Sequence, residues 1–522
     1  MPKISQLESA TDITANDLIQ IVDVEDDGMA PSGTNKKITA QTLGNFLPVT
    51  ATGSSASRSL KDRFADTVNV KDFGANPLLG ADVNTPAIQA AINYASGAAS
   101  RSCVYFPPGY YQTNAPLVVQ AGIHLMGSSR GRTFINALHA GDGIVFQPAD
   151  AGAANSYLYS AQMSNLSVTR SNSMNTGSAI WIRQCNGFIA QGVEASNHQY
   201  GIRISGGQLN VFSDVSTYTG APFEVNTVGA AILLERADIG GGNFQSCYTV
   251  NINNYVGSSN NLLPSIVRIH SADGLSINNA YLGFGSTSLM RFARQTSGDA
   301  ITGVQVSNCY FDCVDNNRQN GVVVVPRAVQ VFNGTSALTA SEEGCRQTRF
   351  SNCFFANNDG LNNYIIQIQK FSEIQFSNCS FSNASDAGVG IGDTTTDGVP
   401  KGRYIITGCI FKNLSEVNSV GQSIIVTDAE HVVINSNLFY NGITTTNQIL
   451  LTGNLVSGSV IGNVCDASAT GNLLSTNGLT VSESLITLNG RDTNVRLNLP
   501  TSASSIVSGS MWNDGGVVKV KP

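Results

Sequence analysis

The stretch SNCSF at residues 377–381 constrains this chain more than any other, because near-copies of it keep returning: SNCYF at 307, SNCFF at 351, TGCIF at 407 and NSNLF at 435. Aligned on their third residue, with LSINNAYL and VIGNVC added, the positions are Ala280, Cys309, Cys353, Cys379, Cys409, Asn437 and Asn463. The spacings are 29, 44, 26, 30, 28 and 26 residues. A period in the twenties to thirties marks a solenoid, whose repeats bury their apolar faces by stacking on one another. In EIQFSNCSF, Ile374 and Phe376 alternate with Gln375, and Cys379 and Phe381 alternate with Ser380, but the phase slips by one between the two pairs. Alternation of this kind is a strand with one buried face. Two strands therefore meet at a corner, and Ser377-Asn378 is that corner.

The residue before the aligned position is Asn279, Asn308, Asn352, Asn378, Gly408 or Gly462. Asn and Gly replace each other where the backbone takes a positive φ. Ser436 departs from the pattern and leaves room for a register shift at NSNLF. A further β run follows in each repeat: YIIQI at 364, SIIVT at 423, QILLT at 448. The expected fold class is all-β, a parallel β-helix whose strands stack about 4.8 Å apart. Cys309, Cys353, Cys379 and Cys409 would then form an interior thiol ladder. Ordinary hairpins would need NG or DG turns about every 8–12 residues, and those are sparse. The long 44-residue spacing implies either an insertion around TASEEG, with Glu342 and Glu343, or a hidden extra coil.

Composition narrows the partners. Only 12% of the 522 residues are charged, about half the usual share, so small polar side chains must cover the surface. The net charge of −7 and the lack of a Lys/Arg run argue against a nucleic-acid partner. No basic stretch leads into an apolar core at MPKISQLESATD, so no secretory signal is expected. No run of 18 apolar residues occurs, so no membrane insertion is expected. The ten cysteines are expected to be reduced core residues. They lack the close pairs of a zinc site, and no phosphate loop or EF-hand loop is present. No cofactor or metal is expected.

The ends of a solenoid must be covered. TPAIQAAINYASGA places Ile88, Ala91, Ile92 and Ala95 on one helical face with Pro86 near its start, which predicts a capping helix. Together VKDFGA, AIQAAINYA, VYFPPGYY, LVV and LMGS, over about residues 68–130, resemble the opening of the pectate-lyase-like superfamily. That superfamily includes phage tailspikes and bacterial exopolysaccharide enzymes. The acidic loop common before the helix is here NPLLGADVNT, which retains only Asp82. The resemblance implies a right-handed parallel β-helix. Residues 1–50 resemble the particle-attachment segments of phage tail fibres and tailspikes. LPTS, WNDGG and VKV near the end resemble small β-modules that close such chains. The expected division is 1–50 attachment domain, 51–67 linker, 68–135 opening and capping helix, 136–475 β-helix, and 476–522 C-terminal β-module.

By the same resemblance the chain is a virion tail appendage, a homotrimer assembled in the host cytoplasm. It would join tail or baseplate proteins through residues 1–50 and bind host surface polysaccharide, with depolymerisation of that polysaccharide as the expected activity if it is an enzyme. A non-catalytic spike of the same shape, and a cell-encoded polysaccharide lyase or hydrolase, stay open beside it. Glycoside hydrolysis needs two carboxyl groups about 5–5.5 Å apart for retention or about 6.5–9.5 Å for inversion, spacings that stacked coils can supply. The aligned register places Asp315 and Asp359 six residues past the corner mark, Asp386 and Glu416 one later, and Asp312 just after an inward Phe311. Asp312, Asp315 and Asp359 are therefore the candidate catalytic residues, as general acid and as base or nucleophile. Turn aspartates that bond their own backbone read the same way. Glu235 and Asp238 form a second acidic set, although Glu235-Arg236 also reads as a surface pair. Arg268 and His270 alternate onto one strand face, as a lyase would require. Trp181 and the tyrosines could stack on sugar rings.

Overall fold

The computed structural model describes residues 18–23, 34–97, 103–153, 155–171, 176–220, 228–240, 242–260, 262–286, 288–294, 299–312, 327–332, 345–356, 365–369, 372–384, 387–392, 402–414, 422–440, 447–465, 472–476, 479–489, 495–498, 511–514 and 517–520. The chain winds as a parallel solenoid of three sheets. Each coil contributes a strand to the first sheet, turns a tight corner into the second, then crosses to the third. Along the first sheet, Glu373–Ser377 pairs with Arg403–Thr407 above and Arg349–Ser351 pairs with Gln375–Ser377. In the second, Tyr310, Phe354, Ser380, Ile410 and Leu438 stand in register. Parallel pairing begins at Thr67–Asn69 and continues beyond residue 475, as far as Asn489.

The corner behaves as its residue types demand. Asn279, Asn308, Asn352 and Asn378 take φ values of 53–55°, and Gly408 and Gly462 take 64° and 67°. Ser436, which breaks the Asn/Gly pattern, nevertheless takes φ 57°. No register shift occurs there: Ile410 still faces Leu438, and the Ser436 N–H donates to the Ile461 carbonyl just as the Asn378 N–H donates to Thr407. A serine bears the cost because that ladder bond holds its backbone in place.

Inside the corner the predicted ladder is present. Cys309, Cys353, Cys379 and Cys409 are all buried, and each thiol donates to the backbone carbonyl two residues before it, at 3.1–3.5 Å. The column continues as amides. Asn437 Oδ1 accepts from the Cys409 N–H at 2.8 Å, and Asn463 Oδ1 accepts from both the Asn437 N–H and its Nδ2 at 3.0 Å. Two residues on, Phe311, Phe355, Phe381, Phe411 and Phe439 stack face to face at 4.5–5.1 Å. The nine described cysteines are all free. The long spacing is an insertion, not an extra coil: Arg327–Phe332 pairs directly with Ser288–Ala293, and Cys345–Ser351 with strands on both sides.

The capping helix runs Ala81–Gly97, starting five residues ahead of Pro86. The Gly80 carbonyl accepts from the Val83 and Asn84 N–H groups and so opens the helix early. Pro86 therefore sits inside the helix. Buried Asn84 organises the preceding loop, accepting from the Asn76 N–H and donating to the Leu79 carbonyl. Asp82 accepts from Asn114 Nδ2 at 2.5 Å. Ala87, Ile88, Ala91, Ile92 and Ala95 close the apolar core. Gln89 does something further. Its side-chain amide donates to the Val118 carbonyl and accepts from the Val118 N–H, each at 2.9 Å, as a neighbouring strand would.

Ahead of the solenoid, Leu18–Asp23 pairs antiparallel with Thr34–Thr39, followed by the helix Ala40–Phe46. At the other end Leu485–Leu488 pairs antiparallel with Val495–Asn498, and Met511–Asp514 with Val517–Val520.

Candidate functional site

The outer face of the third sheet carries the densest chemistry among the described residues. The strands SAIWIR, YGIRIS, AILLE, SIVRI and SLMRFA lie in register over five successive coils. Their inward positions are aliphatic or aromatic: Ile182, Ile204, Leu234, Ile269 and Phe292 form one core column. One residue earlier, the outward column reads Trp181, Arg203, Leu233, Arg268, Arg291. The outward column beside it reads Arg183, Ser205, Glu235. His270 follows Ile269, the partner of Leu234, and so stands one coil above Glu235.

Four of these side chains close a circuit across three coils. The Trp181 indole N–H donates to Ser205 Oγ at 2.7 Å, and Ser205 Oγ donates to Glu235 Oε1 at 2.6 Å. Arg203 Nε donates to that same oxygen at 2.7 Å. The Arg203 guanidinium lies over the Trp181 ring, 4.4 Å from its centroid, and 5.6 Å from that of Tyr200. A cation on an indole face is worth roughly 0.5–2 kcal/mol depending on its desolvation. The pair is only partly withdrawn from water, Arg203 being 29% and Glu235 19% exposed. Glu235 is thus held by one oxygen at a solvent-reachable surface. That geometry can bind a polar ligand or transfer a proton to one.

The next residues extend the cluster. Arg236 Nε pairs with Asp299 at 3.2 Å while its guanidinium sits 3.7 Å from the Phe244 ring centroid. His270 and Arg268 are buried. Burial, helped by the charge of Arg268, pushes the His270 imidazole down to about 4, so it is neutral at pH 7. Burial and then the Arg291 charge push Arg268 down to about 10. Among the described residues no group of three His, Cys, Asp or Glu is placed to hold a metal ion, and no helix is long and apolar enough to cross a membrane.

The candidates picked by coil register fare differently. Asp312 lies on the outer face of the second sheet, where its Oδ2 accepts from the Tyr281 hydroxyl at 2.8 Å and its buried Oδ1 has no partner among the described residues. Its register neighbours are Gly283 and Ala356, so the coils directly above and below offer no second carboxylate at that position. Beside it Tyr281, Tyr310 and Phe354 stack at 5.7 and 5.1 Å. Burial and the bond to Asp312 raise the Tyr281 hydroxyl above its usual range. Asp315, Asp359, Asp386, Glu416, Glu342 and Glu343 lie outside the described residues. Asp238 sits in a short hairpin and accepts from the Gly240 N–H, as a turn aspartate does. Glu235, Arg268, His270 and Trp181 are brought together. Arg203, Ser205, Arg291 and Asp299 were missed, although aligning IWIR, IRIS, LLE, VRIH and MRFA by their apolar alternation would have set most of them in two columns.

Comparison with known proteins bears on this geometry. Residues 67–232 match the family model described as rhamnogalacturonase A/epimerase, pectate lyase-like. No curated protein matches the sequence. Among solved structures, the chain is similar to PfbA, a surface adhesin of Streptococcus pneumoniae, at 14% identity and TM-score 0.54, covering 87% of this chain and 99% of that one. It is also similar to a double mutant of the tailspike protein of E. coli bacteriophage HK620, at 13% identity and TM-score 0.52, covering 86% of this chain and 76% of that one. At such identities the likeness is one of fold. Residues 67–232 carry a pectate-lyase-like domain, and the solenoid has the right-handed parallel β-helix fold found in phage tailspikes.

Proposed function

We propose that this protein is a virion tail appendage that binds a host surface polysaccharide across the outer face of its third sheet and cleaves it there. The circuit Trp181–Ser205–Glu235–Arg203 carries the reading. An aromatic ring, paired hydrogen-bonding groups and a positioned carboxylate on a long, shallow face suit a chain of sugars. Glu235, held by Arg203 and Ser205, serves as one of the two carboxyl groups that hydrolysis requires, and Trp181 as the ring on which a sugar packs. The β-helix shared with a tailspike and with a surface adhesin supports recognition of a cell surface. Residues 1–50 attach to the particle, and the working assembly is a homotrimer.

A second reading places hydrolysis at Asp312 with Asp315 and Asp359; the buried Asp312 Oδ1, which has no partner among the described residues, favours it. One assay separates the two. Purified protein is incubated with capsule or lipopolysaccharide from the host, and new reducing ends are measured. Glu235→Gln is expected to abolish release while Asp312→Asn leaves it unchanged. The opposite result assigns the chemistry to the second sheet. Release by neither the wild type nor a variant, with binding intact and lost in Trp181→Ala, makes the protein a non-catalytic adhesin.

A further inference from the structure

The outer face of the second sheet changes character partway along the rod. Its leading outward column reads Ser167, Glu194 and Ser216 in the early coils. It then reads Val256, Tyr281, Tyr310, Phe354, Ser380, Ile410, Leu438 and Val464. Seven of these last eight side chains are apolar or aromatic, and none is charged. Strand alternation turns them away from the core. Val256, Tyr310, Phe354, Ile410 and Val464 are 36–51% exposed, and Tyr281 and Leu438 are half-buried. The stack of Tyr281, Tyr310 and Phe354 holds three rings in place before any partner arrives, so covering them costs little side-chain freedom. On the column beside it, Asp312 is already engaged by the Tyr281 hydroxyl, and the long stem of Lys412 lets its charge reach water. The first-sheet face is different: Arg403 pairs there with Glu373 and Glu430, all three at least 35% exposed, as groups facing water do.

A continuous apolar band exceeds the scattered exposure normal for a surface. Its eight rungs span about 34 Å. A standard specific interface takes about 800 Å² from each partner, which a band of that length supplies at a width of about 24 Å. The occupant has to offer an uncharged apolar line of the same length, and a second copy of this chain does so. Attachment through residues 1–50 sets all copies in one direction. Side by side in that direction, rings lie at the height of rings and Ser380 at the height of Ser380, and closed symmetry repeats one contact. We infer that the column from Val256 to Val464 is the face through which parallel copies of the chain associate. This rests on the homotrimer proposed above and goes beyond it by naming the surface. The third-sheet site stays open to glycan in such an assembly, whereas Asp312 lies against a neighbouring subunit.

The test is the mass of the full chain in solution, measured by sedimentation velocity. The wild type is expected at the mass of three chains. Tyr310→Glu combined with Phe354→Glu is expected at the mass of one, with circular dichroism checking that the coils stay wound. Ile189→Glu, at a first-sheet position 41% exposed, should leave the trimer intact. A second measurement avoids buried charge altogether. Ile410→Cys, treated with a short bismaleimide, should give covalent dimers, because parallel copies bring that thiol beside its counterpart; Ile189→Cys should give none. A wild type at the mass of one chain overturns both the inference and the homotrimer. A trimer that survives Tyr310→Glu with Phe354→Glu, or equal cross-linking of Ile410→Cys and Ile189→Cys, overturns this face alone.

Discussion

Asn437 and Asn463 occupy the same inward column as four cysteines, and they repay their burial by hydrogen bonding one coil to the next. Replacing Asn437 with Ala would strip the buried Cys409 N–H of its acceptor. The expected loss is about 1–3 kcal/mol, read as a lower urea midpoint. At the corner, Asn378→Gly should be nearly neutral, whereas Asn378→Val should cost at least about 1–2 kcal/mol, because a β-branched side chain resists φ 53°. Two buried histidines make a pH signature. Burial pushes His198 down to about 3 and His270 to about 4, against an ordinary value of 6.5. A group depressed in this way binds its proton more readily when unfolded, so its contribution is full above about 6.5 and is lost as pH falls towards 4. Each histidine costs roughly 1.4 kcal/mol per unit through that window. A His198→Asn, His270→Gln variant should therefore lose less stability between pH 6.5 and 4 than the wild type, in urea melts run across that range.

At the scale of elements, the strands and the corners were legible because a single physical rule wrote them in every repeat: alternate residues inward, then one residue of positive φ. The capping helix was legible from its apolar face at Ile88, Ala91, Ile92 and Ala95, but its start was not. Pro86 reads as an N-terminal signal, and only the Gly80 carbonyl and the Asn84 contacts explain five further residues ahead of it. The role of Gln89 was also hidden, since a glutamine on a helix reveals nothing of the strand it will meet. Gln89→Ala should free one edge of Leu117–Val119 and speed amide exchange at Val118, with little change at the solenoid's far coils.

For the molecule as a whole, chemistry was harder to read than architecture. Register arithmetic from the cysteine corners found Asp312 and tied it to Asp315 and Asp359, yet the sheet that gathers Trp181, Arg203, Ser205 and Glu235 draws them from three coils over 55 residues of chain. No local motif marks such a site. Only the shared phase of SAIWIR, YGIRIS and AILLE does. If that face is where glycan binds, Ser205→Ala should leave the fold intact but weaken binding or turnover about tenfold, because Glu235 then keeps only Arg203. Thermal melting, with glycan affinity measured alongside, checks both halves of that expectation.

The amide of Gln89 on Val118 also carries a consequence for how these molecules behave in a crowd. A parallel ladder is a template that will accept any strand offered to its rim, so each terminus of the rod is a place where polymerisation could begin. A chain shorn of its helical lid should seed end-to-end fibrils visible by electron microscopy. The lidded rod should stay dispersed at the same concentration.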